Sequence, residues 1–236
     1  MQIYGIDLAS EKFDVSYVDS SGLPQHFVVK NNQSQIEKFL DKLPYDCHIV
    51  AEHTGVYGDL LLKLADIRNI RISFVSGYEI KHSMGLRRGK SDPLDASRIR
   101  EYGERNTDKL VDSHFPSDVI YELRELYSTR RLLVQQRKQM QTMLKGDEKR
   151  PSQSETAQQI KLQMIEQFNN EIASVEKKMN ELIDSDEDLS KTSVIAQSIP
   201  GIGPVTATEL IIKTDNFKRV STAKKCATLA GISPFP

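Results

Sequence analysis

The first hundred residues contain short apolar segments with the length and composition of β-strands, separated by turn signals and helical patterns. The first predicted strand ends near Asp7, and the second runs through Phe13, Val15 and Tyr17. Three more span residues 25–30, 47–51 and 70–75. Helical patterns cover residues 34–43 and about 57–67, and a further helix begins at Pro93. The sequence therefore predicts an α/β domain over residues 1–112.

The order of these elements is typical of a ribonuclease H-like domain: three strands, helix, strand, helix, strand, basic loop and helix. Two acids stand at strand ends within it. Asp7 closes the first strand, where an unpartnered carboxylate is costly to bury. Glu52 follows residues 47–51, and ligands of open α/β sheets gather at the carboxyl ends of strands. For Asp7 an alternative stays open, a turn cap bonded to the backbone of residue 9 or 10.

The stretch RRGKSDPLDASRIR, residues 87–100, places two carboxylates among basic residues. Asp92 and Asp95 are three residues apart, on one face of the helix that Pro93 is suited to begin. Close carboxylates repel one another unless a proton or a cation lies between them, and hard ions such as Mg²⁺ take oxygen ligands. The alternative is structural, since acids in the first helical turn also stabilise a helix N-terminus.

Basic residues around those two acids supply charge for a polyanion. They are Arg87, Arg88, Lys90, Arg98 and Arg100. Residues 81–150 hold 16 Lys and Arg against 11 Asp and Glu, although the whole chain has a net charge of −1. The positive surplus is therefore local, which favours a local nucleic-acid contact. A mixed solvated surface can produce the same imbalance.

The sequence lacks the signals of a membrane, secreted or zinc-binding protein. No apolar run approaches the roughly 20 residues of a membrane span. The N-terminus MQIYGIDLAS has no basic region before an apolar one. Cys47 and Cys226 are far apart and form no C-x-x-C pair. We therefore expect a cytoplasmic protein with no membrane partner, disulfide or zinc site.

Three of these motifs together carry a family resemblance. GIDLAS with Asp7, AEHTGVYG with Glu52, and KSDPLDA with Asp92 and Asp95 resemble the four-acid set of the DEDD transposases. These are insertion-sequence recombinases related to the pilin-gene invertases, with a RuvC-like catalytic domain. The resemblance implies that the four acids are catalytic, that they bind one or two Mg²⁺ ions, and that the substrate is DNA. It also implies a structured guide RNA as a partner.

From Ser113 onward the composition becomes helical. If Arg130 and Arg137 are allowed at two seam positions, spacings of three and four connect Leu123, Leu126, Leu133, Met140 and Leu144. The same spacing returns at Ile172, Val175, Met179 and Leu182. Gly146 and Pro151 interrupt the pattern, so residues 113–190 are predicted to form a helical hairpin or coiled-coil arms. Two ordinary amphipathic helices are the alternative. The resemblance implies self-association through this region, as a dimer or tetramer.

Residues 191–236 contain IPGIGPVTA, which is similar to a helix-hairpin-helix. Gly201 and Gly203 let the backbone approach a nucleic-acid strand, and the next helix points N–H groups at a phosphate. A tight turn with glycines for geometry only is the alternative. AGISP is similar to the opening of the family's second domain, whose nucleophilic serine lies beyond that element. Because the sequence stops at Pro236 and Ser233 is not assigned that role, we expect incomplete recombinase chemistry.

The leading hypothesis is a DNA transposase that cleaves and exchanges strands with Mg²⁺. A stand-alone RuvC-like, structure-selective nuclease would use the same acids to activate water, and would form no covalent protein–DNA adduct. A non-catalytic binding dimer would bind nucleic acid without Mg²⁺-dependent cleavage, and Asp7→Ala would not change that binding.

Overall fold

The computed structural model describes residues 1–84, 92–218, 220 and 222–232, without the side chain of Met84. Several residues singled out above lie outside this range, namely Arg87, Arg88, Lys90 and Ser233. The chain divides into two compact units, Met1–Phe115 and Pro116–Pro236. The first unit holds the four acids, and the second is helical.

The first unit is built on a sheet that has five strands in the described part of the chain. They are β1 (Gln2–Leu8), β2 (Lys12–Val18), β3 (Pro24–Lys30), β4 (Cys47–Glu52) and β5 (Arg71–Val75). Their order is β3-β2-β1-β4-β5. β2 is antiparallel to β1 and β3, whereas β4 is parallel to β1 and β5. This order and these directions confirm the predicted ribonuclease H-like fold class.

Alternation along the strands gives the sheet two different faces. On one face Ile6, Phe13 and Ile49 are fully buried beneath helices α1 (Gln33–Leu40) and α2 (Asp59–Ile67). The predicted second helix starts with a 3₁₀ turn over residues 55–58, so its α-helical part begins later than expected. This apolar face is the main core of the unit.

Two further helices, α3 (Gly77–Met84) and α4 (Asp92–Arg105), follow β5. They cover the second face through a smaller apolar cluster of Ile3, Val50, Val75, Ile80, Ile99 and Tyr102. The sequence analysis did not predict α3, because its apolar period is weak and Ile80 is its one buried apolar side chain among those described. The second face is thus less apolar than the first, and it carries the acids.

A glycine allows α4 to lie directly on the sheet. A side chain at Gly5 of β1 would place its Cβ 2.3 Å from the Ala96 carbonyl oxygen and 2.3 Å from the Arg100 amide nitrogen. Backbone therefore packs against backbone at this point, which only glycine permits. The contact sets the separation between β1 and the helix that carries two of the four acids.

A polar layer fills the space between α4 and β2. Ser16 Oγ lies 3.2 Å from Ser97 Oγ. Arg100 Nη1 donates to Glu104 Oε1 at 2.5 Å, and Arg100 Nε donates to Ser16 Oγ at 3.4 Å. Because Arg100 is only 7% exposed, the prediction that it offers charge to a polyanion is wrong. A buried cation needs partners inside the protein, and Arg100 has them.

The second unit contains α5 (Asp118–Asp147), α6 (Glu155–Ser185), α7 (Glu187–Gln197), α8 (Pro204–Thr214) and α9 (Ala223–Leu229). α5 and α6 form a helical hairpin whose turn contains Pro151, while Gly146 lies in the last turn of α5. The core cluster of the unit consists of Ile120, Leu123, Met179, Ile183, Leu189 and Ile211. Since this cluster includes residues of α7 and α8, both helices pack at the base of the hairpin.

Two arginines interrupt the apolar seam of α5, and both are bonded to α6. Arg130 Nε donates to Glu176 Oε1 at 2.6 Å, and Arg137 Nη1 donates to Asn169 Oδ1 at 2.8 Å. The hairpin is therefore held by polar pairs as well as by apolar contacts.

Across the residues described, no helix combines the length and the apolar character needed to cross a membrane.

Gly5→Ala is expected to destabilise the first unit, because the added Cβ meets backbone atoms of α4 that cannot rotate away. We expect a loss of about 1–3 kcal/mol, measured by urea unfolding with circular dichroism. Gly146→Ala is the control, since no described atom lies within 4 Å of a Cβ there and alanine favours a helix by up to ~1 kcal/mol. A Gly5→Ala protein as stable as the wild type would contradict the close contact.

Candidate active site

Two of the four predicted acids stand at the carboxyl ends of neighbouring parallel strands. Asp7 is the penultimate residue of β1, and Glu52 is the last residue of β4. Ile6 is opposite Ala51 in that pair, so Asp7 and Glu52 come next in register. The side chain of Asp7 projects from the face of the sheet that α4 covers, because Asp7 is two residues after Gly5 on the same strand.

The other two acids, Asp92 and Asp95, lie in the first turn of α4. Arg98 Nη1 donates to Asp95 Oδ1 at 2.8 Å. Lys12 Nζ lies 3.8 Å from Asp92 Oδ2. The side chain of Asp95 is 24% exposed and that of Asp92 is 64% exposed. Both acids also suit a helix N-terminus, a structural role that is compatible with ligand binding.

The electrostatics of Asp7 show that the four carboxylates share one region. The pKa of Asp7 is raised from its ordinary value of 3.8 to about 6. Burial is the largest cause, followed by the negative charges of Asp95, Glu52, Asp92 and Asp14. The three other predicted acids are therefore close enough to act on the ionisation of Asp7. They are remote from Asp7 in sequence, so only folding brings them together.

A fifth carboxylate, Asp14, belongs to this cluster and was missed by the sequence analysis. Asp14 is directly opposite Asp7 in the antiparallel β1–β2 pair, and it is 4% exposed. His26 Nε2 lies 2.7 Å from Asp14 Oδ1, and Lys12 Nζ lies 3.9 Å from Asp14 Oδ2. The alternation in KFDVSYV could have placed Asp14 on the less apolar face. Its position opposite Asp7 depends on the hairpin register, which that pattern does not determine.

Glu52 rests against the start of α3. A Cβ at Gly77 would lie 2.1 Å from Glu52 Oε1, so the carboxylate occupies the space that a side chain at residue 77 would fill. Gly77 thereby decides where the oxygens of Glu52 lie. The sequence analysis gave Gly77 no role.

The two predicted nucleic-acid-binding glycines lie in the second unit, between α7 and α8. Gly201 has a φ of +91°, a left-handed conformation that favours glycine. Gly203 is the N-cap of α8 and has a φ of −92°. No described atom lies within 4 Å of a Cβ built at Gly203. Neither backbone conformation nor packing against the described residues therefore requires glycine at position 203.

The acidic cluster fits a divalent cation in its charge and in its donor atoms. Mg²⁺ takes carboxylate oxygens, and a cation would offset the burial and the repulsion that raise the pKa of Asp7. Within the described residues no three His, Cys, Asp or Glu side chains form a ready set of ligands for one ion. Asp92 and Asp95 have Lys12 and Arg98 as partners instead. A metal ion would therefore compete with Lys12 for Asp92, and it would share the Asp95 carboxylate with Arg98, whose hydrogen bond is to Oδ1.

A mixed sheet in this order, with acids at two neighbouring strand ends and on the adjoining helix, defines a ribonuclease H-like protein with an acidic site. Comparison with protein families specifies the class further. A model of DEDD transposases of the IS110 type matches residues 4–146, and a model of the IS116/IS110/IS902 transposase family matches residues 194–236. The chain belongs to the IS110 family of DEDD transposases, which confirms the predicted resemblance.

Two pilin gene-inverting proteins are similar to nearly the whole chain. That of Moraxella bovis is 23% identical over 239 residues, and that of Moraxella lacunata is 23% identical over 238 residues. Each match covers 98% of this chain and 71% of the relative.

Among solved structures, Thermus thermophilus RuvC matches 48% of this chain and 100% of its own, at 14% identity and a TM-score of 0.35. T. thermophilus RuvC in complex with a Holliday junction substrate matches 44% of this chain and 95% of its own, at 12% identity and a TM-score of 0.34.

The raised pKa of Asp7 predicts that stability falls as the pH rises from about 4 to about 6. Below pH 3.8 Asp7 is protonated in both states, whereas between 3.8 and about 6 only the folded state keeps the proton. Folding therefore takes up a proton in that window, and its free energy becomes less favourable as the pH rises. Asp7→Asn should remove this part of the profile and raise Tm at neutral pH in EDTA.

Thermal melts across this pH range check the prediction. Asp108→Asn is the control, because Asp108 is an exposed carboxylate of the same unit. If Asp7→Asn and Asp108→Asn give the same profile as the wild type, the pKa of Asp7 is not raised in the folded protein.

Gly77→Ala is expected to displace the Glu52 carboxylate without unfolding the protein, because the new Cβ meets the end of a flexible side chain. We expect Mn²⁺ affinity, measured by EPR, to fall about tenfold or more. The unfolding free energy should change by less than ~1 kcal/mol. Glu52→Gln is the positive comparison and Gly146→Ala the control. Wild-type Mn²⁺ affinity in Gly77→Ala would argue against a positioning role for Gly77.

Proposed function

We propose that this chain carries the Mg²⁺-dependent DNA-cleaving site of a transposase. The observation that carries the proposal is that Asp7 and Glu52 end neighbouring parallel strands, while Asp92 and Asp95 lie in the first turn of the helix packed on β1. The pKa of Asp7, raised by burial and then by the charges of the other three acids, agrees with this placement. Carboxylates that repel one another in this way have affinity for a cation. Family membership supplies the reaction class, and the similar Moraxella proteins are named for inverting a gene.

Each described residue of the site then has a distinct part. One or two Mg²⁺ ions, which would neutralise charge on the attacking and leaving oxygens of a phosphate, would be held by Asp7, Glu52, Asp92 and Asp95. Asp7 must be ionised to bind a cation, so binding should strengthen as the pH rises through about 6 and level off above it. Arg98 orients Asp95 through its hydrogen bond. Gly77 positions Glu52.

Contacts to the nucleic-acid backbone are proposed at two places. Arg87, Arg88, Lys90 and Arg98 would bind phosphates beside the acids. In the second unit, the turn with Gly201 and Gly203 would bind a backbone phosphate as a helix-hairpin-helix. Gly203 supports this, because its lack of a side chain leaves the start of α8 open and has no other reason in the described structure.

From the family we further propose a structured guide RNA as a partner and self-association as a dimer or tetramer through α5 and α6. Exposed apolar side chains along the hairpin support an interface, among them Leu132, Met143 and Leu162.

Tyr127 is a poor candidate nucleophile for strand cleavage, since burial and its hydrogen bond to Glu209 raise its pKa to about 12. No described residue is assigned that role.

Nicking of supercoiled plasmid in Mg²⁺ or Mn²⁺ tests the proposed site. We expect Asp7→Asn to lower the rate by at least ~100-fold, while Asp108→Asn cuts like the wild type. Cleavage that persists in EDTA, or full activity of Asp7→Asn, would overturn the proposal. A second measurement needs no nucleic acid: Mn²⁺ binding followed by EPR should be lost in Asp7→Asn and kept in Asp108→Asn.

A further inference from the structure

Lys12 lies at the edge of the acidic cluster and is shared by two carboxylates. It is the first residue of β2, and its Nζ lies 3.8 Å from Asp92 Oδ2 and 3.9 Å from Asp14 Oδ2. The ammonium therefore links β2 to the first turn of α4. No role in the proposed chemistry accounts for a lysine at this position.

The two carboxylates beside Lys12 differ in their exposure to water. The Asp14 side chain is 5% exposed, and its other oxygen is bound by His26 Nε2 at 2.7 Å, so Asp14 is fixed in place. Asp92 is 64% exposed, and water screens its attraction for the ammonium. The buried Asp14 is thus the fixed partner of the half-exposed Lys12, whereas Asp92 is an exposed partner that can exchange for water or an ion.

We propose that Lys12 is a phosphate-binding residue of this site, anchored by Asp14 and released from Asp92 when Asp92 binds a divalent cation. This inference rests on the proposed function. A lysine suits the role because its charge sits on a flexible four-carbon stem with three donors, so it can turn to an oxygen nearby while its anchor stays in place. Asp14 and His26 act through Lys12 and are positioning residues.

The proposal predicts opposite changes in two affinities. Lys12 and a metal ion compete for Asp92, so Lys12→Met should raise Mn²⁺ affinity, by about fivefold for one unit charge at this distance in water. The same variant should weaken binding of a fluorescein-labelled DNA duplex in Mg²⁺ and lower its salt slope by about 1. Lys12→Arg should keep the salt slope of the wild type. A lysine that only stabilised the fold would not move the two affinities in opposite directions.

Lys30→Met is the matched control. Lys30 is the cross-strand partner of Lys12 in the β2–β3 pair, and it is exposed with no ion pair to a described carboxylate. It should leave Mn²⁺ affinity unchanged. Mn²⁺ binding is measured by EPR and DNA binding by fluorescence anisotropy, on the full chain.

The outcomes separate this inference from the function on which it rests. If the wild type binds Mn²⁺, Asp7→Asn abolishes that binding, and Lys12→Met behaves like Lys30→Met, the role of Lys12 is overturned and the proposed site stands. If the wild type binds no Mn²⁺, both are overturned. The inference is supported if Lys12→Met binds Mn²⁺ more tightly and DNA more weakly than the wild type, while Lys30→Met leaves Mn²⁺ affinity unchanged.

Discussion

The direct contact of α4 with β1 is the constraint on which the rest of the first unit depends. Gly5 removes the side chain that would otherwise separate helix from strand, so the backbone of α4 lies against it at residues 96 and 100. Asp7 is two residues further along the same strand, and Asp95 is at the near end of the same helix. A spacer of even one methyl group at Gly5 would move these two carboxylates relative to one another.

Bringing acids together in this way costs stability, and the protein offsets the cost with cations of its own. Lys12 lies beside Asp92, Arg98 binds Asp95, and His26 binds Asp14. Asp7 has no such partner among the described ion pairs, and burial, followed by the neighbouring negative charges, raises its pKa. The remaining repulsion lowers the free energy of unfolding, and a bound cation that removes it gains binding free energy. The same charges thus weaken the fold and favour binding.

The second unit is organised by a different principle. Its long hairpin is joined by apolar contacts at the base and by polar pairs such as Arg130 with Glu176 further out. α7 and α8 complete the basal core, and the turn between them carries Gly201 and Gly203. The two long helices expose apolar side chains along the arms, and the N-cap of α8 is Gly203, without a side-chain cap, so the first backbone N–H groups of α8 are not bonded by a capping side chain.

Short-range patterns in the sequence determined the strands and most helices, because alternation, turn residues and helix starts are set by neighbours along the chain. They placed Asp7 and Glu52 at strand ends, and Asp92 and Asp95 on one helical turn. The grouping of the four acids into one set came from the family resemblance of their motifs. Only the tertiary structure decided that Asp14 faces Asp7, that Arg100 is buried, and that Gly5 and Gly77 shape the site. Strand register and helix docking depend on contacts between residues distant in sequence, which no local pattern encodes.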